Sequence, residues 1–428
     1  MPGRFSNRGI VRIAGIYLCS AAICTALATH GKAQFVDLHV YRLGGDAVLH
    51  GRNLYRLRYV NLPFTYPPFA AILCTALAAL PWGTAAAAMA LANCLVLPVI
   101  LYFALRLPPV SEHFSGPARW KLAFAAAAAA IWLEPVRTAL GYGQVDLLIA
   151  LCVLFDLSLP DEARVKGMAI GLAAGLKLTP AIFAVYLLLT RRYRAAAVAA
   201  TTFAATVAVG AIAEPDSSAR YWTVMFASPG HVAPVQDAEN QSLLGALTRA
   251  LHTTHVGWLW LPMAGIVALT GLALARLAGR EGDEAAGFSI CAITGLLISP
   301  ISWTHHWVIA VPALLLAAVT VYAGAAGRSR VATLACAGAI VVVAVIGWVR
   351  LARVVPGSDW LRLSPAGVAT SEVYVVAGLT ALVVAGCAAY RRLSDPAGTM
   401  TVTMTARPAG RAPWLAKPSP LLRGARSR

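Results

Sequence analysis

Apolar runs of membrane-spanning length recur from one end of the chain to the other, separated by polar breaks. The first covers about 10–28. Two alanine-rich runs follow at about 69–80 and 84–106, divided by Pro81-Trp82-Gly83. Further runs cover 121–139, 147–159, 167–190, 195–213, 256–275, 286–299, 307–326, 331–349 and 372–390. A helix needs roughly 20 apolar residues to cross the hydrocarbon core. Apart from closed barrels, only helices satisfy their own backbone there. The pattern predicts an all-α polytopic membrane protein, a bundle of about 10–13 transmembrane helices.

Two stretches are long and polar, 31–64 and 214–255. Arg4, Arg8 and Arg12 flank the first run, and Arg191, Arg192, Arg194, Arg276, Arg280, Arg328 and Arg330 gather in other short breaks. Under the positive-inside rule these arginines mark the cytoplasmic side, which places both polar stretches at the outer face. The first run lacks a clear small-x-small cleavage site, so it is expected to stay as a span. The run 167–190 is interrupted by Lys177 and by Thr179-Pro180. As one span it leaves Arg164 and Lys166 outside. As two half-spans meeting near Lys177 it keeps both basic ends inside, and then requires another broken span upstream. Residues 1–390 read as a single transmembrane domain. Residues 391–428 carry eight basic residues and one acid, Asp395, and read as a disordered cytoplasmic tail.

Composition narrows the class further. The 428 residues are 59% hydrophobic and 12% charged, with a mean hydropathy of +0.70. A soluble domain is about one quarter charged, so a soluble enzyme, a disordered chain and a disulfide scaffold are excluded. The net charge of +17 comes from clusters between apolar runs, with no basic helix or aromatic platform, so no nucleic-acid partner is expected. The eight cysteines lie in apolar runs without a CxxC pair and read as small buried hydrophobes.

With only 18 acids, the candidate chemistry can be followed residue by residue. Asp37 stands just past the first span, beside His39, Tyr41 and Arg42. It suits a general base for a headgroup hydroxyl, or equally a helix N-cap or a juxtamembrane ion pair. Lys177 is an ionisable group inside a span, where charge is costly. It calls for an anion such as a lipid phosphate, or for an ion pair with Glu134, Asp146 or Asp156. Ser299-Pro300-Ile301-Ser302-Trp303-Thr304-His305-His306-Trp307 joins two spans. Its histidines suit phosphate or sugar, and adjacent histidines alone are no chelating motif, so no metal is expected. Glu239-Asn240-Gln241-Ser242 offers amides and a hydroxyl to sugar hydroxyls. Gly141-Tyr142-Gly143-Gln144-Val145-Asp146 is another polar break, either a kink or part of the same cavity.

Several of these segments together resemble a known family. They are Asp37-Leu-His-Val-Tyr41 with Gly44-Gly45, Thr65-Tyr66-Pro67-Pro68-Phe69, Gly143-Gln144, Lys177-Leu-Thr-Pro180, Asn240-Gln241-Ser242-Leu243 and Ser299-Pro300-Ile-Ser302-Trp303-Thr-His305-His306. The sequence is similar to the actinobacterial polyprenol-phosphate-mannose-dependent α-1,2-mannosyltransferases of the glycosyltransferase C superfamily. These act on phosphatidylinositol mannosides or lipomannan. The resemblance implies a glycosyltransferase C-like bundle with its active site on the outer face of the plasma membrane and both termini cytoplasmic. It implies transfer of mannose from polyprenyl-phosphate-mannose to a mannosylated glycolipid, with inversion and no cofactor beyond the lipid donor. It places the catalytic aspartate at Asp37. His305 or His306 would assist, with Lys177, His306 and Arg42 around the donor phosphate. Asn240, Gln241, Tyr66, Gln144 and Trp303 would hold sugar. The competing readings are a transferase using another polyprenyl-phosphate sugar, a flippase for a lipid-linked sugar, and a noncatalytic assembly subunit.

Overall fold

The structure, a computed structural model, describes residues 7–29, 34–225, 234–323 and 360–394. The run predicted at 331–349 and the tail beyond Ser394 lie outside the described residues. The chain up to Ala385 forms one compact unit. It is helical almost throughout, and its described strands are the two-residue partners β1 (Arg58–Tyr59) and β2 (Leu62–Pro63) of one small hairpin.

Five described helices are long and apolar enough to cross a membrane. They are α1 (Asn7–Ala28), α4 (Trp82–Ala104), α10 (Tyr193–Ala213), α13 (Gly257–Arg280) and α17 (Val373–Ser394). The bent pair α5 (Gly116–Ala130) and α6 (Glu134–Tyr142) makes a sixth if it counts as one span. Large apolar side chains on these helices point outward, among them Val11, Ile16, Leu91, Leu261, Ile266 and Leu269. Water would not tolerate that surface, and lipid requires it. The protein is a multi-pass membrane protein.

Several of the remaining predicted spans are short, for local reasons. The run at 121–139 is broken by Glu134-Pro135 at the start of α6, and the two helices meet at 78°. A proline in the first turn begins a helix readily and cannot continue one. The run at 167–190 is two nine-residue helices, α8 (Met168–Leu176) and α9 (Ala181–Leu189), parted by extended backbone at Lys177. The run is therefore interrupted at Lys177, and the bent pair α5/α6 is a second break upstream. The run at 147–159 is α7 (Asp146–Leu157), that at 286–299 is α14 (Glu284–Ile298), and that at 307–326 is a 3-10 turn followed by α15 (Val311–Ala323). The run at 69–80 is the 11-residue α3 (Pro68–Ala78).

The polar stretch 31–64 folds as α2 (Val36–Leu49) and the β1–β2 hairpin. The second holds α11 (Pro215–Arg220) and α12 (Leu243–Ala250), and α16 (Pro365–Ser371) precedes α17. Small residues set the closest approaches. Gly44 and Gly45 of α2 face the Phe64 ring and the Cys74 backbone of α3, and a Cβ at either would collide with them. Gly171 and Gly175 of α8 meet the Ala199 carbonyl and Thr206 of α10 in the same way. Such spacing lets membrane helices pack backbone to backbone. It holds α8, and with it Lys177, firmly against α10.

Candidate active site

Asp37 lies in the first turn of α2. Phe35 occupies the N-cap position in left-handed conformation (φ 51°), and its N–H donates to the Gly141 carbonyl at 2.7 Å. Asp37 therefore caps nothing, and among the described residues it makes no ion pair. Its Oδ2 accepts a hydrogen bond from Gln144 Nε2 at 2.5 Å.

Gln144 owes its position to Gly143. Helix α6 ends there with Gly143 in left-handed conformation (φ 70°), while Gln144 N–H closes back on the Ala139 carbonyl at 2.9 Å. This is the glycine-terminated helix end seen widely in proteins. A Cβ at Gly143 would also press on Leu38 and Phe35 of the α2 entry, each at 2.9 Å. The Gln144 carbonyl accepts from Asn93 Nδ2 at 3.0 Å, and its side-chain Oε1 accepts from the Tyr41 hydroxyl at 2.6 Å. The Gln144 nitrogen thus faces Asp37 and, at 3.0 Å, His305 Nε2. That amide nitrogen can only donate, so His305 Nε2 must accept. The hydrogen-bond network assigns the imidazole proton to Nδ1.

Lys177 closes α8. Its Nζ donates to Asp146 Oδ1 at 2.8 Å and lies 5.7 Å from the centre of the Tyr66 ring. Of the three acids considered as ion-pair partners, Asp146 is the one. Glu134 instead accepts from the Thr138 and Tyr374 hydroxyls, and Asp156 accepts from the N–H groups of Gly167, Ala169 and Ile170 at the start of α8. His305 and His306 lie in the 3-10 turn after Trp303, their rings edge to face at 4.8 Å. Asp146 Oδ2, His305 Nδ1 and His306 Nδ1 are buried without a hydrogen-bond partner in the described structure. One ligand atom from each of these three residues lies within 4.8 Å of the others, a grouping that would suit a cation. The Lys177 ammonium already holds the Asp146 edge of it.

These side chains share one cavity of about 530 Å³. Asp37, Tyr66, Gln144, Lys177, Trp303, His305 and His306 line it, together with Tyr142, Asp237 and Glu239. Burial raises the Asp37 carboxyl to about 7, against the downward pull of the Gln144 hydrogen bond and the Lys177 charge. Glu239 is raised to about 7 by burial and by the neighbouring Asp237 and Glu134 charges. A free aspartate titrates near ~3.9, so Asp37 is poised near neutrality and is not simply ionised throughout the physiological range.

The family model for glycosyltransferase family 87 matches residues 64–300, more than half of the chain. The chain belongs to this family. A polyprenol-phosphate-mannose-dependent α-(1-2)-phosphatidylinositol pentamannoside mannosyltransferase of Mycobacterium tuberculosis is 38% identical over 301 residues, 68% of each chain. Its namesake in Mycolicibacterium smegmatis is 38% identical over 299 residues, 68% of this chain and 71% of the other. A phosphatidylinositol mannoside mannosyltransferase of Mycobacterium tuberculosis is 32% identical over 295 residues, 65% of this chain and 69% of its own. Among solved structures, ArnT of Cupriavidus metallidurans bound to undecaprenyl phosphate aligns with a TM-score of 0.42 and 15% identity, over 94% of this chain and 82% of that one. Membership of family 87 makes the protein a membrane glycosyltransferase and sets aside the flippase and scaffold readings.

Three residues expected at the family 87 site lie elsewhere. Arg42 donates through Nη1 to the Leu77 and Leu80 carbonyls, each at 2.6 Å, and stacks on Trp82. It closes the end of α3 and does not line the cavity. It is five residues from Asp37, about 140° round the helix at 3.6 residues per turn, so the two cannot face the same way. Asn240 and Gln241 are fully buried and do not line the cavity. Asn240 Oδ1 accepts from Ser302 N–H at 3.0 Å, while its Nδ2 donates to Val235 and Pro300 carbonyls. Gln241 Nε2 donates to Ala238 and Ser371 carbonyls, and its Oε1 accepts from Tyr374 N–H. These amides tie the loop 234–242, the roof loop, to the histidine segment and to α16–α17. The sugar-facing reading of the 239–242 motif fails for them because buried backbone groups claim their hydrogen bonds first. The carboxylate next to them, Glu239, does reach the cavity. The motif's chemistry lies in the amides by residue type, and only the fold distinguishes the carboxylate that faces the cavity.

Proposed function

We propose that the protein transfers mannose from polyprenyl-phosphate-mannose to a mannosylated phosphatidylinositol lipid at the outer face of the plasma membrane. The new bond is α-1,2, both termini are cytoplasmic, and the anomeric centre inverts. The observation that carries this reading is the convergence of one hydrogen-bonded carboxylate with a lysine and two histidines on a single cavity. The names of the 38% identical relatives supply the donor and the acceptor class.

Inversion needs one base and no enzyme nucleophile. Ionised Asp37 takes the proton of the acceptor hydroxyl. That oxygen bonds to the anomeric carbon as the bond from that carbon to the phosphate oxygen breaks, and the lipid phosphate leaves with the electron pair. Lys177 Nζ and the His305 Nδ1 proton stabilise the leaving phosphate, with His306 beside them. Gln144 orients the base and His305 together. Because the ionised form of Asp37 is the active one, the rate falls as pH drops below about 7. Membranes carrying the native protein should transfer labelled mannose from the lipid donor to the glycolipid, and Asp37→Asn at matched expression should lose about 10²–10⁴-fold. Undiminished transfer by Asp37→Asn would remove Asp37 from the mechanism, and transfer from a different lipid-linked sugar alone would replace the donor.

A further inference from the structure

The five buried acids of the described structure have each been matched by the fold. Asp146 has Lys177, Glu284 has Arg192, Glu372 has Arg249, Asp156 has three backbone N–H groups and Glu134 has two hydroxyls. Glu239 has none of these. Its side chain meets one phenol, Tyr142, at 3.4 Å, long for a hydroxyl donating to a carboxylate. The charges around it, Asp237, Glu134 and Asp37, are all negative. Yet its backbone is held firmly. Its own N–H donates to Asp237 Oδ1 at 2.9 Å, and Arg249 donates to the Asp237 and Asn240 carbonyls on either side. Asn240 pairs with Trp303 across an isolated bridge. The loop thus presents to the cavity, at a fixed place, a carboxylate that has one long hydrogen bond and, among the described residues, no ion pair.

We propose that Glu239 is a sugar-binding, specificity-determining residue. Its carboxylate, on the roof of the cavity that also holds Asp37, accepts hydrogen bonds from adjacent hydroxyls of a pyranose seated beneath it. A neutral polyol answers the site's needs: it supplies donors to an acceptor-only group and adds no charge next to Asp37 and Asp237. A second anion there would be repelled. Tyr142 extends the same wall, its ring edge-on to His305 at 5.6 Å, so the sugar is placed within reach of both the phosphate end and the base. The mannosyl unit of the donor and the terminal mannose of the acceptor share this chemistry.

The assignment rests on the mannosyl-transfer reading, and its test separates the two. Native protein, Glu239→Gln and Glu239→Leu would be compared in membranes, with the mannosyl-phosphate lipid and the mannosylated acceptor titrated in turn. Glu239→Gln keeps the volume and one acceptor oxygen, so it reports on the folded site. Glu239→Leu should raise KM for one of the two substrates about 10- to 100-fold, Glu239→Gln by less. The acid limb of the pH profile should stay with Asp37. The substrate whose KM moves identifies which mannose Glu239 holds. Deoxy-mannose versions of that substrate should lose their disadvantage in Glu239→Leu. Unchanged KM for both substrates with an active native protein would overturn the role of Glu239 alone. Loss of the acid limb in Glu239→Gln would make it the base and overturn its binding role. No mannose transfer by the native protein would overturn the underlying reading itself.

Discussion

Replacing Gln144 by methionine probes the site at its most connected point. The change keeps length and volume while deleting the amide. The fold should survive it. Tyr41 retains the Tyr66 hydroxyl at 3.0 Å, and the Gln144 main-chain carbonyl keeps Asn93. The loss falls on Asp37, whose carboxylate loses its one hydrogen-bond donor among the described residues, and on His305, which loses its partner at Nε2. A hydrogen bond to an ionised group contributes about 1.5–3 kcal/mol. At 1.36 kcal/mol per pKa unit, its removal lifts the Asp37 carboxyl from about 7 by ~1–2 units. At pH 7.5 the ionised fraction then drops about 3- to 25-fold, and kcat/KM falls with it. Raising the pH should restore activity, because the base is protonated and not removed. The assay is mannose transfer by membranes across pH 5.5–9.5. The donor is a phosphodiester with no titration of its own in that range, so the limb belongs to the enzyme. A Gln144→Met profile of reduced height whose acid limb stays where the native limb lies would refute the coupling of Gln144 to Asp37.

Three other results should follow. Lys177→Met should abolish transfer and also lower stability by roughly 3–5 kcal/mol, since it strands the Asp146 carboxylate. Pairing it with Asp146→Leu should recover thermal stability in detergent without recovering transfer, whereas recovered transfer would deny Lys177 its phosphate. Arg249→Met should destabilise by a similar ~3–5 kcal/mol, because Arg249 is fully buried against Glu372 and also holds the roof loop. An unchanged Tm would contradict that. Arg42→Gln should leave KM for the donor within about twofold, as a residue that closes α3 and meets no phosphate, and a large rise in that KM would restore the discarded assignment.

Much of the architecture was legible in the chain because lipid imposes one strong rule, that long apolar runs become helices. The breaks were legible too. Gly143 and Thr179-Pro180 interrupt apolar runs, and each marks a helix end in the structure. The lengths were less so. A run such as 121–139 is long enough to span, yet bends by 78° where Glu134 finds hydroxyl partners. The site followed the same division. Asp37, Lys177, Gln144, His305 and His306 were recognisable from their types and positions, Tyr66 and Trp303 only from the family resemblance, and all seven line one cavity.

What the sequence by itself determined is therefore the inventory: which groups are too polar to lie in lipid without a purpose, and where the helices must stop. Tertiary structure alone decided which way each group faces. Asp146 became the partner of Lys177 over a separation of 31 residues, and Gln144 joined Asp37 to His305 across 107 and 161. Within one short segment, Asn240 and Gln241 turned inward to backbone groups as far as 133 residues away, while Glu239 turned to the cavity. Local pattern cannot make that choice, because neighbouring side chains of similar polarity are sorted by which distant backbone group is left without a hydrogen bond, and only the packed fold defines those groups.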